Sequence, residues 1–227
     1  GGDIISLWAL ATGRNTQSDF PSLLDDIRHW LGEPRKESTH VQSEITAPVD
    51  ELGPVTAKWD YHGGDGTLLA CVYRYDPPGG KQFRPWDVLA RKMKAPNPRP
   101  LYNQPAIRSA EEVILVEGEK AAEALIAQGI CATTAMNGAS APVNKTDWSP
   151  LAAKRVLIWP DKDAAGWQYA EAAAQAVLNA GATSVAILMP PDDKPDKWDA
   201  ADAVVEDMDV AAFIASAPRQ SITAPQS

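Results

Sequence analysis

The chemistry-bearing feature of this sequence is a set of acidic residues that recur just after short apolar runs. Glu117 follows Val113-Ile114-Leu115-Val116 and opens Glu117-Gly118-Glu119-Lys120. Asp161 and Asp163 follow Val156-Leu157-Ile158-Trp159, in Asp161-Lys162-Asp163. Asp199 and Asp202 stand in Asp199-Ala200-Ala201-Asp202, beyond a further run, Val185-Ala186-Ile187-Leu188-Met189. Carboxylates brought together repel strongly at low dielectric, and such a cluster is tolerated mainly when cations neutralise it. Hard oxygen ligands with no nearby Cys or His favour Mg²⁺ or Mn²⁺ over zinc. Mg²⁺ typically takes one or two carboxylates and completes its shell with water and substrate phosphate, which is the geometry of metal-assisted phosphoryl transfer.

The elements that must position these acids alternate strand and helix. Strands are expected at Val113–Val116, Cys131–Met136, Val156–Trp159 and Val185–Met189. Helices are expected at Ala121–Gln128, closed by Gly129, and at Ala165–Ala180, stopped by Gly181, with a helical turn near Trp148–Ala153. Short apolar strands between helices imply an α/β fold, a parallel sheet of about four strands covered on both faces. Ligands bind outside the carboxyl ends of such strands, so Glu117, Asp161, Asp163, Asp199 and Asp202 are predicted to share one sheet edge. Gly118 is expected to let the backbone turn into its helix. Asn137-Gly138, after the second strand, forms a turn that can approach a phosphate. The bland alternative is helix capping, for which Asp163 is well placed. Three successive strand ends delivering acid to one edge weigh against an ordinary acidic rim.

The rest of the chain divides by composition. Residues 1–32 read as a helical segment and 33–54 as a polar linker. Residues 55–110 read as a small β-rich basic subdomain, with β-formers Trp59, Tyr61, Leu69, Cys71, Val72, Tyr73 and Tyr75 between Gly-rich turns. Residues 111–217 hold the strand–helix alternation. A Pro- and Ser-containing tail, 218–227, is expected to be disordered. The net charge of −9 opposes nucleic-acid binding in bulk, but part of the acid sits where a metal site needs it. Between Arg84 and Arg108 the balance is reversed, with Asp87 the only acid, and local fields govern a bound polyanion. Cys71 and Cys131, with His29, His40 and His62, lack zinc-ligand spacing, so no zinc is expected in this chain. No apolar run reaches transmembrane length, and a cytoplasmic setting is expected, with no membrane partner.

Over about Glu112–Ala217 the chain resembles the Toprim family, which includes bacterial-type primases, topoisomerases and certain nucleases. The resemblance rests on Val113–Lys120 for the family's glutamate motif and on Trp159–Gly166 for its D-x-D motif. Trp198–Asp202 is similar to the third acidic motif. The wording is most similar to phage and prophage primases. Gly1–Ile5 resembles the end of a primase zinc module whose ligands would lie upstream. Tyr73–Trp86 resembles the basic subdomain that precedes Toprim in such primases.

The resemblance implies a DNA primase core that makes short RNA primers from nucleoside triphosphates on a single-stranded DNA template, with a replicative helicase as a possible partner. It implies Mg²⁺ (or Mn²⁺) held by Asp161, Asp163 and Asp199, with Asp202 in support. Glu117 would be a general base or acid or an outer metal contact. It points to Arg74, Lys81, Arg84 and Lys120, with Asn137 and Gly138, for phosphate or nucleic-acid contacts, and to Trp86 and Tyr102 for stacking, with core packing favoured for at least one of the two. The competing readings are a Toprim nuclease using the same carboxylates, and a replisome binding module with weak or lost catalysis. The last is suggested by Ala121, where bacterial primases carry an acid.

Overall fold

A computed structural model describes residues 52–138 and 142–223, all within one compact unit. The predicted helical segment 1–32 and most of the linker 33–54 lie outside the described residues.

The first element is an antiparallel meander of β1 (Ala57–His62), β2 (Leu68–Tyr75) and β3 (Gln82–Asp87). Gly66, at φ 87°, serves the β1–β2 turn, where Gly63 and Thr67 close the backbone. Alternation along the strands gives the sheet two distinct faces. Trp59 pairs with Val72 and Arg74 with Phe83, and these four share one face. Tyr73 pairs with Arg84 and Cys71 with Trp86 on the other.

A short helix, α1 (Gln104–Ser109), leads into the main sheet. There, β4 (Glu112–Val116), β5 (Ala132–Thr134), β6 (Arg155–Trp159) and β7 (Ser184–Leu188) run parallel, in the spatial order β5-β4-β6-β7. Intervening helices are α2 (Glu119–Ala127) and α3 (Ala164–Asn179), followed after β7 by α4 (Ala200–Val205) and α5 (Val210–Ser216). The sequence reading placed the four parallel strands and helices α2 and α3 within a few residues of their positions.

The sheet is buried on both faces, as near-continuous apolar strands require. Val113, Leu115, Val156 and Ile158 pack on one side with the alanine stripe of α3, Ala170, Ala173, Ala174 and Val177. Ile114, Val116, Leu157 and Trp159 pack on the other, against α2, α4 and α5. The stripe follows the i, i+3, i+4, i+7 spacing of a helix face, and its small residues let α3 lie close on the strands.

One expectation is corrected. Residues after 217 were read as a disordered tail, yet Arg219–Ile222 forms β8, antiparallel to β7. Its pairing with Val185–Leu188 supplies backbone partners that the composition of the segment does not signal. The predicted boundary at 110/111 also falls inside one compact unit. The meander and the main sheet share an apolar contact in which Trp59, Tyr61 and Val72 pack with Met136 and Tyr102.

Candidate active site

Glu117 and Asp161 follow strands, Asp163 and Asp199 cap helices, and Asp202 stands in the first turn of a helix. Glu117 follows β4, and its half-buried carboxyl is raised above the ordinary range by burial and by Asp163 and Asp199. Asp161 follows β6. Burial, then the charges of Glu117, Asp199, Asp163 and Asp202, push its carboxyl up to about 7. The charges that act on Glu117 and Asp161 place the five carboxylates in one neighbourhood.

They divide in role. Asp163 caps α3, accepting from the Gly166 amide at 2.7 Å. Asp199 caps α4, accepting from the Asp202 amide at 2.9 Å, while Asp202 accepts from the Asp199 amide at 3.2 Å in a capping box. The capping role considered for Asp163 therefore extends to Asp199 and Asp202. Each cap engages one carboxylate oxygen.

Two glycines let backbone close on the acids. A Cβ on Gly166 would lie 2.5 Å from the Asp161 carbonyl oxygen, and one on Gly138 would collide with the Glu117 carbonyl oxygen. Gly138 also has φ +48°, a conformation that favours glycine. Gly118 differs from expectation. Its backbone is extended (φ −140°, ψ 162°), and a Cβ there would meet nothing within 4 Å, so the turn into α2 does not depend on a glycine.

Glu117, Asp161 and Asp199 line a cleft of about 560 Å³. The meander supplies Trp59, Val72, Arg74, Lys81 and Phe83, and the start of α2 supplies Lys120. Asn137, Gly138, Gly118, Glu119 and Ala121 also line it. The cleft thus brings four acids and three cations into one lining. Arg74 is oriented by Asp76, whose Oδ1 accepts from Nε at 3.1 Å and from Nη2 at 2.9 Å. Thr56 holds the other Asp76 oxygen at 2.6 Å. Helix α2 opens on the cleft with no side-chain cap on its first amides.

Asp163, Asp202 and Arg84 do not line the cleft. Arg84 lies on the opposite meander face from Arg74 and Phe83, where its Nη2 donates to Gln82 Oε1 at 2.7 Å. The stacking residues also change. Trp86 is 7% exposed and lies on the Arg84 face. Tyr102 packs edge-on against Tyr61, with ring centroids 5.3 Å apart. The aromatic rings on the cleft are Phe83, 37% exposed, and the buried Trp59, 6.3 Å from it. Strand pairing could have identified them, but residue type alone could not.

Among the described residues, no three His, Cys, Asp or Glu groups form a ready cage for a metal ion. The residues nevertheless suit a cation that takes one or two carboxylates and completes its shell from water and phosphate. Glu117 Oε2 and Asn137 Oδ1 are buried acceptors with no hydrogen-bond partner, and Asp161 is a carboxyl crowded by four others.

No family model matches the chain, and no curated protein matches it. Solved structures do. A DNA primase domain from Pseudomonas aeruginosa matches with TM-score 0.53 and 20% identity, over 72% of this chain and 51% of that one. The Aquifex aeolicus primase (zinc binding and RNA polymerase domains) matches with TM-score 0.53 and 18% identity, over 71% and 40%. The chain therefore has the fold of primase catalytic cores, and it spans about half or less of the solved structures it matches. Among the described residues no helix is long and apolar enough to cross a membrane.

Proposed function

We propose that this chain is a DNA primase catalytic core, joining nucleoside triphosphates into short primers on single-stranded DNA. The observation that carries this reading is the cleft, which is lined by Glu117, Asp161 and Asp199 together with Arg74, Lys81, Lys120 and Phe83. The fold shared with primase domains supports it. Acid alone would serve many metal-dependent reactions. Acid, cation and exposed aromatic surface in one cleft suit a ligand with phosphates at one end and a base at the other.

On this reading Asp161 and Asp199 are the residues that would hold a Mg²⁺, with Glu117 as an outer contact, and the ion when bound would supply charge neutralisation of the triphosphate. The raised carboxyl of Glu117 suits it to accept the proton of the attacking primer 3′-hydroxyl. The hydroxyl oxygen bonds to the α-phosphorus as the bond to the β-phosphate bridge breaks, and pyrophosphate leaves. Lys120, Lys81 and Arg74 hold phosphate oxygens together with the first amides of α2. Phe83 offers a face to the base. The motif wording, most similar to phage and prophage primases, supports a phage or prophage origin.

The test is primer synthesis on mixed-sequence single-stranded DNA with labelled nucleoside triphosphates and Mg²⁺ or Mn²⁺, with Asp161→Asn as control and strand cleavage scored in the same reactions. Short products that disappear in the variant are expected. Cleavage that disappears instead would replace this reading with a nuclease.

A further inference from the structure

Lys162 stands between Asp161 and Asp163, but it does not line the cleft. Its ammonium donates to the carbonyl oxygens of Pro191 and Asp192, each at 2.7 Å, and to that of Lys194. A lysine has three N–H donors, and here all three are engaged. The main chain of the same residue adds two bonds. Its amide donates to Trp198 O at 2.9 Å, and its carbonyl accepts from the Lys197 amide at 3.0 Å.

One residue therefore ties the loop after β6 to the segment that ends on Asp199. Lys197 holds φ 64° within this arrangement. Trp198 is buried with its ring 5.7 Å from that of Trp159. The two rings stand just before Asp199 and Asp161 in the chain, so the lysine links two segments that each carry a cleft acid.

We propose that Lys162 is a positioning residue that fixes Asp199 relative to Asp161, and with it the divalent-cation site, and that it contacts no phosphate. The metal part rests on the function proposed above, whereas the tie between the segments stands independently of it.

The experiment compares Lys162→Met and Lys162→Arg with the wild-type chain by amide hydrogen exchange, by Mn²⁺ binding followed by electron paramagnetic resonance without nucleotide, and by steady-state synthesis. In Lys162→Met, exchange is expected to quicken across residues 191–198 while α3 and β4 stay protected. Mn²⁺ affinity should fall about tenfold or more, the usual consequence of losing a group that orients a metal ligand. The KM for nucleotide at saturating Mn²⁺ should stay within about twofold, since no phosphate contact is lost. Lys162→Arg should show the same loss, because a planar guanidinium does not fit three carbonyls arranged around an ammonium. Unchanged exchange and Mn²⁺ affinity in both variants would overturn the proposal. So would recovery by arginine together with a raised nucleotide KM in the methionine variant, which is the behaviour of a phosphate ligand. A wild-type chain that binds no Mn²⁺ would instead defeat the metal reading of the cleft, and the exchange result would then decide the tie alone.

Discussion

The Tyr61 hydroxyl donates a 2.7 Å hydrogen bond to Glu119 Oε1, joining the meander to the first turn of α2. Tyr61 is fully buried and Glu119 nearly so. Burial raises the Glu119 carboxyl, and the Tyr61 hydrogen bond works against that rise. Tyr61→Phe leaves a buried carboxyl without its donor, an expected cost of about 1–3 kcal/mol in urea unfolding. The double change Tyr61→Phe/Glu119→Met removes both polar groups and should unfold closer to wild type than Tyr61→Phe alone. A double variant weaker than that single one would mean that the contact is not the source of the loss.

Asp161, Glu117 and Glu119 all have carboxyls raised by folding, so the folded chain binds these protons more tightly than the unfolded chain. Their contribution to stability is full below the ordinary carboxylate range and is lost as pH rises through the folded values, about 7 for Asp161. Metal-free protein should therefore lose stability between about pH 4 and pH 7. Asp161→Asn should flatten that loss and stabilise the protein at pH 8 by about 1–2 kcal/mol, allowing for solvent screening. Added Mg²⁺ should restore wild type more than the variant. Urea melts across the pH range measure each part.

Gly166→Ala and Gly138→Ala each force a side chain against the backbone of a cleft acid. Each should cost about 1–3 kcal/mol, as overpacking does. Synthesis should fall about a hundredfold, since small misplacements of a reacting group are severe. Gly118→Ala should change stability little, because a Cβ there meets no protein atom and its backbone is extended. Thermal melts and initial rates on the three proteins test this contrast.

Phe83→Ala removes the exposed ring of the cleft wall. A stacking contact of about 1–2 kcal/mol corresponds to a rise of roughly 5- to 30-fold in the KM for nucleotide. The rise should be similar for all four bases, because stacking uses the faces of the bases rather than their edges. Arg84→Ala, on the opposite face, should leave that KM unchanged. Equal effects of the two substitutions would remove Phe83 from the binding surface.

The acids and the sheet that gathers them were legible because both depend on short-range patterns. Apolar runs of four or five residues mark the strands, and Glu117, Asp161 and Asp199 directly follow strand ends or open a helix. The cationic wall was only partly legible. Arg74 and Arg84 are alike by type and neighbourhood, and they are separated by strand pairing, which places Arg74 beside Phe83 and Arg84 beside Tyr73. The direction of Lys162 was hidden for a similar reason, since its acceptors lie about 30 residues away in an irregular loop. Strand β8 was missed because Arg219-Gln220-Ser221 is polar and mostly exposed, and its order comes from its partner rather than from its own composition.

That polar strand bears on how the protein can be cut for study. Ending a recombinant version at the last helix, near Ala217, would bare the edge of β7, whose Val185, Ile187 and Leu188 are buried in the intact fold. An unpaired strand of this kind offers its amides and carbonyls to the same strand of another molecule. Trimmed protein would therefore self-associate edge to edge and leave solution, with the loss easily misread as instability of the fold. Arg219–Ile222 acts as a selvedge, a short hydrophilic border that keeps the weave of the sheet from being continued by a neighbour.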